Sequence, residues 1–252
     1  MSSSTSSSDP SARWRRFFWL TVGTAAGLVG VIYAFVVLVD PWGSLPWSLP
    51  LDRVPVTSNQ RFAYPTLARS AQFDSAVFGD STSRLLRPTE LNPPFGARFA
   101  NLAMNDATPY EISRLLLVFS AAHPGAKVVM FGIDSSWCVT GDSFVQLTPR
   151  AFPEWMYRSS RWDGYAQMLN LFAVQEAGKE FGVLTGLKRA DMGRDGYTIF
   201  VPPDNQYDPA RAALHIRDAS PRVPSGRKAS ASWLGGPMWL SPCSPTPRHR
   251  NP

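Results

Sequence analysis

Cysteine and histidine are the scarce residues of this chain, and their scarcity narrows its chemistry first. Two cysteines, Cys138 and Cys243, form neither a disulfide framework nor a CxxC pair. With only His123, His215 and His249 beside them, no Cys/His spacing of a zinc site exists, so no metal and no cofactor is expected. None of the three histidines has an aspartate three residues before it. No internal repeat is visible. Acid is absent from Ala219–Pro252, which instead holds seven prolines, six serines and five Arg/Lys. That tail supplies +5 of the net charge of +6 and leaves the preceding 218 residues near +1. The pI of about 9.6 therefore describes a basic tail and not a nucleic-acid surface on a folded domain, and no nucleic-acid partner is expected. The tail reads as disordered. Its composition fits a frameshift or truncation near Ala219; the alternative is a genuine basic extension on a smaller domain.

Charge is also missing from Phe17–Val39, a run of 23 residues. As a helix rising 1.5 Å per residue it spans roughly 34 Å, enough for a hydrocarbon core of about 30 Å. Arg13, Arg15 and Arg16 stand directly before it and favour a cytoplasmic amino end. A cleavable signal peptide has a shorter apolar region ending in small residues, whereas this run continues through Phe35–Val39 to Asp40-Pro41. The expectation is one uncleaved anchor in the inner (cytoplasmic) membrane, with the bulk of the chain extracytoplasmic. Before it, Met1–Ala12 is Ser-rich and reads as disordered, so residues 1–16 form a cytoplasmic amino terminus. After it, residues 40–72 are rich in Pro and Trp and read as an irregular linker over the domain or near the membrane face.

From Phe73 the pattern becomes α/β. Ser75–Phe78 reads as a strand running into Gly79-Asp80-Ser81, a turn that lifts a serine to the carboxyl edge of a sheet, where ligands of open α/β sheets bind. A plainer reading is an ordinary turn built from common turn residues. Thr108-Pro109-Tyr110-Glu111 carries a capping box with proline at the first helical position. Ile112, Leu115, Leu116 and Phe119 then mark one helical face up to about His123. Val128–Phe131 reads as a fully buried strand ending at Gly132-Ile133-Asp134. A helix between two continuous apolar strands points to a parallel, crossover-connected sheet. Further on, a helix interrupted by glycines is expected within Leu169–Leu187, a strand at Tyr197–Val201 and a short helix at Pro209–Asp218.

Gly79-Asp80-Ser81 at a strand end, an Asn-bearing loop some 20 residues on and a Gly-x-Asp after a later strand resemble the first three blocks of the SGNH/GDSL hydrolase superfamily. The anchor, the Asp40-Pro41-Trp42 linker and the Gly-Asp-Ser turn together are similar to membrane-anchored bacterial SGNH-like proteins of cell-envelope acylation. The resemblance implies a three-layer, flavodoxin-like α/β domain over residues 73–218, incomplete here. It also implies acyl-ester hydrolysis or O-acetyl transfer on an envelope polysaccharide, with an acyl donor as partner. It makes Ser81 the nucleophile, beside Asp80, and gives Ser81 N–H, Asn101, Asn105 and the Asp134 position as oxyanion-hole candidates. A serine needs a base to take its proton, and the Asp-x-x-His block that would supply it is missing. Asp134 stands where an asparagine is expected; an ionised carboxylate there would repel an oxyanion, and a turn or capping role is the other reading. Around Asn105-Asp106, where the resemblance expects a glycine, there is an aspartate. His123 reads as a helix cap, His215 as a surface residue and His249 as part of the tail. A non-catalytic envelope scaffold is the competing function.

Overall fold

Parallel strands are brought together here by two crossover segments, of which the sequence pattern outlines only the second, at Pro109–His123. The computed structural model describes residues 10–56, 59–138, 146–190, 192–201 and 206–219. The chain divides into two compact units, Met1–Gly132 with Val145–Thr198, and Ile133–Phe144 with Ile199–Pro252. The proposed disorder of residues 220–252 lies outside the described residues, as does that of residues 1–9.

In the first unit, β1 (Ser75–Phe78), β2 (Phe99–Asn101) and β3 (Val128–Phe131) form a parallel sheet in the order β2-β1-β3. Ser75 pairs with Phe99 on one side and Val128 on the other, which fixes both registers. Because successive side chains of a strand face opposite ways, β1 needs cover on both sides. Val77 packs with Phe99 and with Leu91 of α3 (Pro88–Phe95), while Phe78 meets Phe119 of α4 (Pro109–Ala122) edge-on at 5.8 Å. All four residues of β1 are buried.

The capping box at α4 is present in full: Thr108 accepts from Glu111 N–H, and Glu111 accepts from Thr108 N–H. Each half satisfies an orphan donor of the first turn. β3 departs from the expected full burial. Val129 is 37% and Phe131 39% exposed, because among the described residues β3 pairs only with β1 and its outer face is not fully covered. Tyr197–Val201 is not a strand. Instead Gly193 and Tyr197 close a turn (N···O 2.8 Å), and the Asp195 carbonyl accepts the Asn101 N–H (2.7 Å) at the outer edge of β2.

At the amino end, α1 (Pro10–Val39) begins inside the segment expected to be disordered. It includes 29 residues long and apolar enough to cross a membrane, with only 11% of the most apolar window buried. From Tyr33 onward the helix is partly covered: Phe35 meets Phe181 of α6 (Leu171–Leu184) at 5.7 Å, and Val36 is fully buried. The expected linker is an ordered strap. Asp40 leaves the helix at φ 41° and accepts from Ser44 and Leu45 N–H, both at 3.1 Å. Arg53 donates to the Val39 carbonyl through Nε (3.0 Å) and Nη2 (2.9 Å), placing a cation on the negative end of α1. The strap contains α2 (Gln60–Leu67), capped by Asn59. Trp42 packs against Phe62 and Phe172. α6 runs without interruption through Gly178 and Gly182. Before it lies the one-turn α5 (Gly164–Gln167). In the second unit, α7 (Pro209–Ala219) matches the expected short helix.

Candidate functional site

Three strands of one parallel sheet end together, and Ser81, Asn101 and Asn105 follow β1 and β2 at that edge. Pairing continues past the strands: Leu102 N–H bonds Val77 O (2.8 Å), Met104 N–H bonds Gly79 O (3.0 Å) and Gly132 N–H bonds Phe78 O (2.8 Å). Gly79 has φ 151°, a backbone that side chains rarely adopt. A Cβ on either Gly79 or Gly132 would collide with Ser83 Oγ. The Ser83 hydroxyl is thus wedged between the carboxyl ends of β1 and β3, which is what requires glycine at both. Ser81 lies two residues before it and is exposed at the tip of the turn. The Asp80 carboxylate accepts from Thr82 N–H (2.9 Å) and Thr82 Oγ1–H (2.7 Å). Asp80 therefore stiffens the turn that presents Ser81. Beyond it the chain makes only a short 3-10 turn, Ser83–Leu85, not a helix aimed at the serine.

Asn101 is buried, and its amide is already committed. Nδ2 donates to the carbonyls of Ser83 (3.2 Å), Arg84 (3.3 Å) and Leu86 (2.7 Å), while Oδ1 accepts from Ala103 N–H (3.1 Å). It clamps the loop after Ser81 and has no N–H left for an oxyanion. Asn105 differs: its Oδ1 accepts from Arg84 Nη1, and its Nδ2 is the remaining donor. Asp106 occupies φ 53°, the left-handed conformation in which the expected glycine would be relaxed. Asp134 belongs to the second unit, where it is exposed and its carbonyl accepts from Trp137 N–H (3.3 Å) at the start of a 3-10 turn. Cys138, at the end of that turn, is disulfide-bonded, a single bridge that the sequence reading did not expect from so few cysteines.

The serine's base is not supplied by His123. α4 starts next to the carboxyl edge and runs back for 14 residues, about 21 Å at 1.5 Å per residue. Its carboxyl cap, His123, therefore lies by the amino edge of the sheet. There Nε2 is 3.0 Å from Ala68 O, and the ring packs on Phe119 at 4.5 Å. His123 thus occupies the carboxyl-cap position of α4 through its backbone N–H to Phe119 O, while its ring bonds a carbonyl outside that helix. The amino edge carries its own charges: Asp74 pairs with Lys127 (3.2 Å) and Arg98 (3.5 Å). The Arg98 backbone N–H, ahead of Lys127 and Ser75, holds the Asp74 carboxyl down at about 2.

Two groups at the loop escaped the sequence reading. Arg61 and Glu111, neither of them exposed, form a two-pronged ion pair through Arg61 Nε and Nη2. Arg61 also donates to the carbonyls of Asn105 (3.2 Å) and Asp106 (3.1 Å), so this pair holds the Asn105-Asp106 loop. Arg84 lies buried beneath the Ser81 turn and reaches both Asn105 and the Tyr64 hydroxyl. Burial, only partly offset by Arg84, pushes the Tyr64 phenol well above its ordinary value, so it stays a neutral donor to Gly196 O (3.1 Å). Spacing gave no signal for either, since the partners are 50 and 20 or more residues apart.

Among the described residues no three His, Cys, Asp or Glu side chains converge as metal ligands. A cavity of about 310 Å³ lies within the strap, between its first part and α2, bordered by Trp42, Arg53, Thr66 and Arg194; Ser81 does not line it. Comparison with family models, curated proteins and solved structures finds no match to this chain.

Proposed function

We propose that this chain is a single-pass protein of the cytoplasmic membrane whose extracytoplasmic α/β unit is an SGNH-like acyl-ester domain. Ser81 marks the point of attack on an acyl donor or an O-acylated envelope polysaccharide. One observation carries the reading. Ser81 is exposed directly after the central strand of a β2-β1-β3 parallel sheet, where the strand order reverses, and this is where such sheets bind ligands. Asn105 is the donor best placed among the side chains for a developing oxyanion, with its loop fixed by Arg61.

The proposed chemistry is acyl transfer. Ser81 Oγ bonds the acyl carbon, the donor's ester C–O bond breaks, and its alcohol leaves with the proton that Oγ gives up. The acyl group then passes to water or a sugar hydroxyl, which releases its proton to restore Ser81. This sequence has no Asp-x-x-His, and His123 serves α4. Hydrolytic turnover is therefore weak or silent in this chain. The second reading, a non-catalytic envelope scaffold, is favoured by the complete use of the Asn101 amide on the loop carbonyls. A fluorophosphonate probe on the detergent-solubilised full chain separates the two. Labelling that Ser81→Ala abolishes supports an acyl-enzyme. No labelling of protein with an intact near-ultraviolet circular dichroism spectrum assigns it to the scaffold class.

A further inference from the structure

Beside α1 runs a crevice of about 630 Å³ whose other wall is the Tyr165–Leu169 segment at α5. Its size falls within the roughly 300–1,000 Å³ of small-molecule sites, but its lining is unusual. Ala25, Ala26 and Gly30 make the helix wall low, and a Cβ added at Gly30 would meet nothing within 4 Å. No charged side chain lines it. Its two hydroxyls are turned to backbone: Tyr33 donates to Tyr165 O (2.9 Å) and Tyr165 to Trp47 O (3.4 Å).

The position of the crevice along α1 identifies its occupant. Tyr33 is where the domain begins to cover the helix. The 17 uncharged residues from Phe17 to Tyr33 rise about 26 Å as a helix, enough to cross a hydrocarbon core with Arg15 and Arg16 reaching back to the inner headgroups. A bilayer set on that stretch has its outer boundary at Tyr33. Trp47 (78% exposed) and Trp162 (55%), edge-to-face at 5.5 Å, sit beside Tyr165 and supply the aromatic rim favoured at that boundary. Leu169 (63%) and Leu171 (82%) then project where a soluble face would lose by exposing them. From Tyr33 the crevice follows α1 down to Val22, 11 residues or about 16 Å, which is roughly half of a 30 Å hydrocarbon core and the depth of one leaflet's acyl chains.

We propose that this crevice is a lipid site: an acyl chain of an outer-leaflet phospholipid lies between the Ala25–Gly30 face of α1 and the Tyr165–Leu169 segment, and fastens the domain to the membrane. This rests on the single-pass reading. The test uses the full chain in vesicles of phosphatidylethanolamine and phosphatidylglycerol, with p-benzoylphenylalanine in place of Leu169 and, separately, of Leu28 on the opposite face of α1. Photolysis at 169 yields a mass gain of one phospholipid, and Gly30→Trp or Ala26→Phe, which fill the crevice, remove that adduct while leaving the one at 28. A lipid adduct at 28 with none at 169 overturns the crevice and leaves the anchor standing. No adduct at either position overturns both. A 169 adduct undiminished by both filling variants places lipid outside the crevice, and a covalent dimer assigns the face to a second copy; either result overturns the proposal.

Discussion

Removing the Glu111 carboxylate tests the clamp beneath the candidate site. In Glu111→Ala the Arg61 guanidinium stays buried without its counter-charge, which costs about 3–5 kcal/mol for a broken buried pair. The same carboxylate accepts from Thr108 N–H (3.2 Å) and from Thr148 N–H (3.4 Å) and Oγ1 (3.3 Å), so the loss belongs at the upper end of that range. For a chain of this size about 2–4 °C accompanies each kcal/mol. The thermal midpoint, followed by near-ultraviolet circular dichroism of the detergent-solubilised protein, should fall by roughly 10–20 °C. Arg61→Leu should fall comparably, since it strands the carboxylate and the Asn105 and Asp106 carbonyls. The double variant Arg61→Leu/Glu111→Leu should recover a substantial part of the combined loss, because neither charge is then left buried alone. A Glu111→Ala midpoint within about 2 °C of the parent, or a double variant as unstable as the sum of the singles, would show that the pair does not hold the loop.

Gly132→Ala should destabilise by about 1–3 kcal/mol as an overpacked site, and Ser83→Ala in the same chain should restore part of this, since Ser83 Oγ is what the new Cβ meets; denaturant midpoints of the single and double variants check it. Glu180, buried on α6 with Arg53 nearby, has its carboxyl raised by burial to about 7. A folded value above the unfolded one adds stability below about 4.5 that is lost as pH rises through about 7. Glu180→Gln should therefore raise the thermal midpoint at pH 8 and leave it little changed at pH 4, and equal shifts at the two pH values would refute the assignment.

What the sequence made legible was local. The capping box of α4 and the apolar run of β1 are each written within a few consecutive residues and appear where the pattern puts them; α1 ends at Val39 as expected but starts at Pro10, seven residues early. α2 and α3 were obscured by their own prolines. Pro65 lies inside one, and Pro93-Pro94 end the other before Gly96 closes it in a left-handed cap. Proline reads as a breaker, yet Pro88 at the start of α3 is where a helix accepts one. Tyr197–Val201 failed for the opposite reason. Its alternation resembles a strand, but the Tyr197 hydroxyl accepts from Arg87 Nε (3.0 Å) and Asp195 supplies the carbonyl at the edge of β2. Side chains and a turn satisfy groups that a ladder would otherwise pair.

At the candidate site the division is sharper, because chemistry there depends on which edge of the sheet a residue reaches. A parallel crossover brings every strand's carboxyl end to one edge and sends each intervening helix back to the other. Ser81, Asn101 and Asn105 follow β1 and β2 directly, so the fold gathers them at one edge whatever their individual roles. His123 follows α4, so the same rule carries it to the amino edge, where its ring bonds Ala68 O and not Ser81. Sequence distance is no guide here: 24 positions separate Ser81 from Asn105 and 42 separate it from His123, and what decides the edge is that Asn105 follows a strand whereas His123 follows a helix. Asn101 shows the second limit. The right residue type stands just after the right strand, but the carbonyls of Ser83, Arg84 and Leu86 have taken its donors. Three backbone acceptors in a loop without regular pairing must be satisfied by something, and a buried amide at the end of β2 is the group within reach. Of the two asparagines at this edge, Asn105 is the one whose amide is not spent on the Ser81 loop, and the Arg61–Glu111 pair fixes the loop that carries it.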